Sequence, residues 1–381
     1  MHSKIIPTNK IYRSNQILHD GRYIKYPFEN DLSSLSQRDC KWCLDEFLVN
    51  PYENIKANNM SQFFLKTFGE GITDLYLRPY NKKIWKFDPS CLDLQMVGRI
   101  PKPPKEDVIA SANGAKTEGY LHQLYFNYPV SGGFQTLINK YTSIAKRKGV
   151  SIELDSEIKN VKRESDRWIV KCKSKEFRSK RLINSMPIHE LGNVLEDGGK
   201  LKHLTKALLY NSIYIVILQY KNDSVGNHFA FYVPQEDVIF HRVSKLNYLG
   251  ENYNNQKELT TLMCEITFRP DSYISHFSKK EIVSECIKGI EKINFAKKTN
   301  LIDSYIHYEK YAYVIYDLAH RSNTDNCLNY LKEIGIESCG RFAQFEYMNT
   351  DKVVEESAKL ASKIQPKFNI DKFTEKELSI N

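Results

Sequence analysis

Residues Arg78-Pro79-Tyr80-Asn81-Lys82-Lys83-Ile84-Trp85 bring a guanidinium, an amide and two flat rings into one short segment. Hydrogen-bond donors, a charge and stacking faces are what a polar, ring-containing ligand asks for. Proline fixes φ and disfavours helix in the residue before it, so the segment is expected to be a rigid, non-helical turn. A second segment, Gly340-Arg341-Phe342-Ala343-Gln344-Phe345-Glu346-Tyr347, has the same mixture near the other end of the chain. The competing reading of each is a surface turn with incidental aromatics.

A chain of 381 residues and 44.5 kDa is too long for one small core, which predicts a two-lobed or two-domain, enzyme-sized protein. Its 41% hydrophobic and 27% charged residues are those of an ordinary globule. The net charge of +9 suits an anionic small molecule, a nucleic acid or an acidic membrane about equally and selects none of them. Tyrosine stands out, with 24 against 3 Trp, and a phenol supplies a stacking face with a hydroxyl handle suited to sugars and nucleotides. Of the eight cysteines only Cys40-Lys41-Trp42-Cys43 has metal or redox spacing. It lacks a second Cys/His pair and falls in a helical stretch, so paired helical thiols are expected and no metal site. There is no Ser-His-Asp order, and His241 beside Arg242 is the histidine that stands near other candidates. The amino terminus lacks a signal-peptide pattern and no apolar run reaches membrane-spanning length, which leads to the expectation of a cytoplasmic protein.

The elements that must position these groups alternate without a simple βαβ rhythm, so the fold class is expected to be mixed α/β. Strand, turn and strand are predicted over Asn9 to Phe28, turning at His19-Asp20-Gly21 and stopping at Pro27. Helices are predicted over Ser36 to Leu48, Asn59 to Leu77 and Phe134 to Lys148, the last opened by Gly132-Gly133. Pro101, Pro103 and Pro104 mark an extended connector. Short strands follow at Ile152 to Leu154, Trp168 to Val170 and Leu182 to Asn184. Longer or later ones are expected at Ile213 to Tyr220, Phe229 to Val233, Val238 to Val243 and Leu259 to Phe268. A helix capped by Ser278 runs from Lys279 to Ile293, a last helix starts near Asp351, and the tail after Pro366 is charged.

In order, Tyr26-Pro27-Phe28-Glu29-Asn30, Gly69-Glu70-Gly71-Ile72 leading to Trp85, and Val97-Gly98-Arg99-Ile100 form a series. Tyr128 to Gly133, Asn184-Ser185-Met186-Pro187 and Gly340 to Asp351 continue it. Through this series, from about Lys10 to Lys363, the chain resembles UDP-galactopyranose mutase of the eukaryotic type. That family sits within the wider superfamily of amine-oxidase and protoporphyrinogen-oxidase flavoproteins. The resemblance implies an FAD/NAD(P)-binding-like flavoprotein fold with an inserted helical region and an antiparallel sheet domain. The implied division is substrate-binding strands and helices over 1–130, an FAD-domain remnant over 131–190, an antiparallel sheet over 191–330, an FAD-contacting segment over 331–365, and a tail over 366–381. The first βαβ unit, with its G-x-G-x-x-G, is not found among the 17 glycines. The chain is therefore expected to be a fragment, a split or miscalled product, or a form that no longer holds flavin.

The resemblance also implies roles. In the family, reduced flavin N5 attacks the anomeric carbon of UDP-galactose, UDP leaves, and the opened sugar recloses as a five-membered ring. The protein positions the substrate and neutralises the leaving pyrophosphate. Arg99 and Arg242 match the diphosphate clamp, and Tyr232, Tyr248, Tyr313 and Tyr347 match the surrounding phenols. Tyr26 and Phe28 match the uracil slot, with Glu29 where the family has glutamine. Tyr76, Asn81 and Trp85 match positions around nucleotide and sugar, and Gln123 replaces an asparagine. Gly132, Gly133, Gly340, Arg341, Asn349 and Asp351 match flavin contacts, while Glu346 stands where the family often has arginine, with no evident compensation. The implied cofactor is FAD and the implied partner a UDP-hexose used in cell-surface polysaccharide synthesis, with no nucleic acid. A homo-oligomer, or a separate chain supplying the missing segment, is the further partner considered. The rival readings are an FAD-dependent oxidoreductase of the amine-oxidase or protoporphyrinogen-oxidase type and an inactive nucleotide-sugar-binding protein.

Overall fold

The computed structural model describes residues 5–98, 100, 102–115, 117–118, 124–222, 224–250 and 259–365. Arg99, Pro101, Gln123 and the tail from Pro366 lie outside them. Strands β1 (Thr8–Tyr12), β2 (Asn15–His19) and β3 (Arg22–Lys25) come first, then helices α1 (Gln37–Leu48), α2 (Met60–Ile72), α3 (Arg78–Trp85) and α4 (Lys105–Ala112). Next are β4 (Tyr125–Pro129), α5 (Gly133–Arg147), β5 (Ile158–Glu164), β6 (Arg167–Cys172), β7 (Glu176–Ser179) and β8 (Leu182–Asn184). Helices α6 (Ile188–Val194) and α7 (Gly199–Thr205) lead to β9 (Tyr210–Lys221), β10 (Ala230–Tyr232), β11 (Arg242–Lys245) and β12 (Leu259–Phe268). The chain continues with α8 (Lys279–Lys292), β13 (Leu301–Val314), α9 (His320–Glu333), β14 (Ile336–Ser338) and α10 (Thr350–Ile364). The fold is mixed α/β, as the interleaving predicts.

Two compact units emerge, each built from separated stretches of chain. The larger, residues 9–131 and 210–318, is organised by a seven-stranded sheet in the order β13-β9-β12-β11-β10-β2-β3. Its pairings are antiparallel except β10 with β2, and the Asp20-Gly21 turn closes the β2–β3 hairpin with both residues at positive φ. Because side chains alternate along a strand, the aligned residues Val216, Cys264 and Val243 share one face. That face packs against Ile282, Cys286 and Ile290 of α8 in the main core. Ser278 caps α8 through a full capping box with Glu281. The smaller unit, residues 1–8, 132–209 and 319–381, holds the meander β5–β6–β7, the parallel pair β8–β14, and helices α5, α6, α7, α9 and α10.

Several expectations are corrected. Arg78–Trp85 is a helix, not a turn: it follows a π turn over Thr73–Leu77, and Pro79 falls in its first two positions, where a missing N–H costs little. Residues 152–154 form no strand, and the strand expected over Val238 to Val243 starts only at Arg242 and runs to Lys245. Gly69 and Gly71 serve helix packing: Gly69 has φ +75°, and added Cβ atoms would lie 2.4 Å from the Glu46 carbonyl oxygen and 2.7 Å from the Cys43 Cα. Only bare backbone lets α2 lie so close to α1. Cys40 and Cys43 are free thiols on α1, and burial pushes the Cys43 thiol up to about 12, the opposite of what a reactive thiolate needs. Among the described residues, no helix is long and apolar enough to cross a membrane.

Candidate functional site

On the sheet face opposite the α8 core, three neighbouring strands set Tyr232, Arg242 and Glu265 side by side. Tyr232 is directly opposite Arg242, and Arg242 directly opposite Glu265. Glu265 is 4% exposed, and its Oε1 accepts from Arg242 Nε at 2.9 Å and from Nη2 at 2.5 Å. Burial, the largest single influence, works against the guanidinium charge, but Glu265 together with Tyr313, Tyr232 and Tyr80 overcomes it and holds the Arg242 pKa well above its ordinary value. The Arg242 side chain stays 36% exposed, so it is anchored on one side and open on another. Two of its five N–H donors go to Glu265, and the others make no hydrogen bond among the described residues. His241 is buried, and desolvation followed by the charge of Arg242 pulls its pKa well down, so it stands neutral beside the pair.

Helix α3 delivers rings to this row. Tyr80 meets Tyr232 edge-on at 5.3 Å and stacks on Tyr76 at 5.5 Å; Tyr76 in turn stacks on Phe28 at 5.2 Å. Tyr26 leans on Tyr232 at 5.1 Å, and Trp85 meets Tyr313 edge-on at 5.5 Å. Burial, then neighbouring phenols, pushes the hydroxyls of Tyr76 and Tyr80 well above their ordinary pKa. They remain protonated donors. Asn15 Nδ2 donates to the Tyr232 hydroxyl at 3.1 Å, which orients that phenol.

The last turn of α3 is fastened to the sheet through carbonyls that a helix end leaves unpaired. Asn211 Nδ2 donates to the Trp85 carbonyl at 2.7 Å and the Ile84 carbonyl at 3.2 Å; Thr267 Oγ1 donates to Ile84 at 2.8 Å. Arg78 and Asn81, read in the sequence as groups presented to a ligand, are half-buried and hydrogen-bonded within the protein. Arg78 binds Asp74 at 2.8 Å and Ser61 at 3.0 Å. Asn81 donates to the Leu77 carbonyl at 2.7 Å and accepts the Trp85 indole N–H at 2.9 Å, so it orients the ring.

At the cis Tyr26-Pro27 step the chain enters a short 3-10 turn of Phe28, Glu29 and Asn30, all buried. Phe28 is wholly enclosed and stacks on Tyr76, whereas Tyr26 lines a cavity of about 380 Å³ together with Arg13, Asn15, Lys25 and Asn30. Burial pushes the Glu29 carboxyl up to about 7. At neutral pH it therefore spends much of its time as an acid that both donates and accepts, as an amide does.

Within the smaller unit, Gly340 (φ +112°) follows β14, and Gly132 (φ +69°) caps α5. The Arg341 guanidinium lies 4.4 Å over the Tyr347 ring. Asn349 caps α10, whose first turn holds Asp351. Glu346 is compensated after all: Arg321 Nη2 sits 2.5 Å from it, contributed by a helix the linear order does not place nearby.

The structure thus groups Tyr26, Tyr76, Trp85, Tyr232, Arg242 and Tyr313 in the larger unit; Phe28 is buried against Tyr76, and Glu29 is buried next to it in the chain. Tyr248 packs on Phe229 at 5.7 Å instead. Arg99 and Gln123 lie outside the described residues. Tyr80, one of the two rings of the Arg78–Trp85 segment, joins the cluster. Glu265, Asn15 and Asn211 are site residues that the sequence does not nominate, because strand pairing and helix docking alone bring them there.

No family profile matches the chain. Solved structures do. Reduced UDP-galactopyranose mutase superposes with a TM-score of 0.85 at 19% identity, covering 95% of this chain and 79% of that one. The chain shares that protein's fold. A candidate protoporphyrinogen oxidase from Exiguobacterium sp. 255-15 gives 0.69 at 14%, covering 95% and 82%. Cyclohexylamine oxidase from Brevibacterium oxydans IH-35A gives 0.59 at 12%, covering 95% and 84%.

Proposed function

We propose that this chain is a mutase-like protein that binds a nucleoside diphosphate sugar, UDP-hexose being the leading substrate. The observation that carries the reading is Arg242, anchored by buried Glu265 and surrounded by the phenols of Tyr80, Tyr232 and Tyr313. A guanidinium with donors to spare and a ring of phenols match the oxygens of a diphosphate, and the guanidinium neutralises it if it departs. The Tyr26-lined cavity is the natural seat for the base, and Glu29 in its acid form can substitute for an amide behind it. An amine-oxidising site, whose substrate is itself a cation, has no use for such a cationic centre.

FAD is the cofactor the fold suggests, and the electron pair that opens the sugar would be its chemistry. Arg341 with Tyr347 and the open backbone at Gly340 could touch such a group. However, no strand-turn-helix with G-x-G-x-x-G lies among the described residues to cradle its pyrophosphate. A second reading is a nucleotide-sugar-binding protein that uses the Arg242 cluster without flavin chemistry. Visible absorbance of the purified protein separates the two.

The test is calorimetric titration of UDP and UDP-galactose into the protein and into Arg242→Lys, with circular dichroism to confirm folding. Replacing a planar fork by a point charge should weaken UDP at least about tenfold. Unchanged affinity overturns the assignment.

A further inference from the structure

A second cavity, of about 790 Å³, opens in the larger unit at the carboxy-terminal end of α3, lined by none of the clustered tyrosines. Its volume is that of a small-molecule site. Its lining includes the apolar Phe87, Val238, Ile239 and Phe277, and the amines of Lys82, Lys83 and Lys86. Lys83 is only 7% exposed, and its Nζ donates to the carbonyls of Val233 at 2.8 Å and Gln235 at 2.6 Å. Neither it nor half-buried Lys86 forms an ion pair with a carboxylate among the described residues, and the Arg269 guanidinium lies over the Phe87 ring at 4.4 Å.

The acids at the rim are committed elsewhere. Asp237 pairs with Lys292, Glu285 with Lys288 at 2.7 Å, and Asp88 accepts from the Ser90 backbone and hydroxyl. Glu236 reaches Lys82 at 3.8 Å. Desolvated amines without a counter-charge are unfavourable unless something supplies one. We propose that this cavity binds an organic oxyanion, a carboxylate, sulfonate or phosphate attached to an apolar or planar body, with Lys83 and Lys86 holding the charged end.

The two amines respond to their surroundings as such a site requires. Burial, then the charge of Lys86, pulls Lys83 down to about 6, and burial pulls Lys86 down to about 8, with Glu236 opposing in both cases and Asp237 also at Lys83. An anion favours the charged form of each, so binding takes up protons and affinity falls as pH rises through this range.

Benzenesulfonate, whose charge is constant over that interval, is the probe for calorimetry on the full chain at pH 6.5 and 8.5. Binding is expected with heats that vary with buffer ionisation enthalpy, at least about tenfold weaker in Lys86→Gln, and tighter at the lower pH. Lys83→Gln should weaken it likewise if circular dichroism shows it folded; the half-buried Lys86 provides the test if it is not. Absence of binding at both pH values, or full affinity in Lys86→Gln, overturns the proposal. Inorganic sulfate binding as tightly overturns the organic-anion part, and displacement by UDP overturns the separateness of the site. UDP binding to the Arg242 cluster is measured independently and can fail without affecting this result.

Discussion

Arg242 and Glu265 face each other on adjacent antiparallel strands, and their exposures differ sharply: 36% for the arginine side chain against 5% for the carboxylate. The acid is the buried anchor and the cation the presented group. Removing the cation leaves the buried Glu265 carboxylate without its guanidinium partner, which costs about 3 kcal/mol or more. Arg242→Met should destabilise by that order, and Arg242→Met with Glu265→Gln should recover most of it. Urea unfolding of the four proteins in a double-mutant cycle measures the coupling; additive losses would mean that the pair is not coupled in solution.

Glu29 makes stability depend on pH in a direction unusual for a carboxylate. Below about 4.5 it is neutral in both folded and unfolded chains; its folded pKa of about 7 means the unfolded chain ionises first. Stability contributed by the neutral acid is therefore lost as pH rises from about 4.5 through 7, by roughly 3 kcal/mol at most. Glu29→Gln removes that loss. Its melting temperature should exceed that of the parent at pH 8 and match it at pH 4.5, and equal curves at both would show that the carboxyl is solvated.

How much of this was legible follows from where each signal resides. The strand at Leu259–Phe268 and the Ser278-capped helix were readable because apolar alternation and capping are local. Strand β13 escaped because it lies at the sheet edge, where most of its residues are exposed and apolar alternation is weak. The helical state of Arg78–Trp85 escaped because the preceding π turn that admits Pro79 has no sequence signature. Site residues with a chemical label, such as Arg242 and Tyr232, could be nominated from resemblance. Glu265 and Asn211 acquire their roles only from strand register and from carbonyls left bare by a helix end.

Asn211 is wholly buried and holds the last turn of α3 by two carbonyls. Asn211→Ala takes the 2.7 Å donor from the Trp85 carbonyl, while Ile84 keeps Thr267 Oγ1, a loss worth about 1–3 kcal/mol in a buried setting. Because Trp85 and Tyr80 ride on that helix, the loss should also reach the ligand. A fall in melting temperature together with weaker UDP binding is expected; a stability loss with unchanged UDP affinity would separate α3 from the site.

Tyr80 distinguishes a phenol that donates from one that only packs. Its ring bridges Tyr76 and Tyr232, so Tyr80→Leu breaks a stack and should destabilise, whatever the ligand. Tyr80→Phe keeps the ring and removes only the hydroxyl, which burial and neighbouring phenols keep protonated. If that hydroxyl donates to a diphosphate oxygen, UDP should weaken by about 1.5–3 kcal/mol, the worth of a hydrogen bond to a charged group, with the melting temperature unchanged. Titrating uridine alongside UDP locates the effect: the two should respond differently, because only UDP carries the phosphates. An equal loss for both would move Tyr80 from the phosphates to the base.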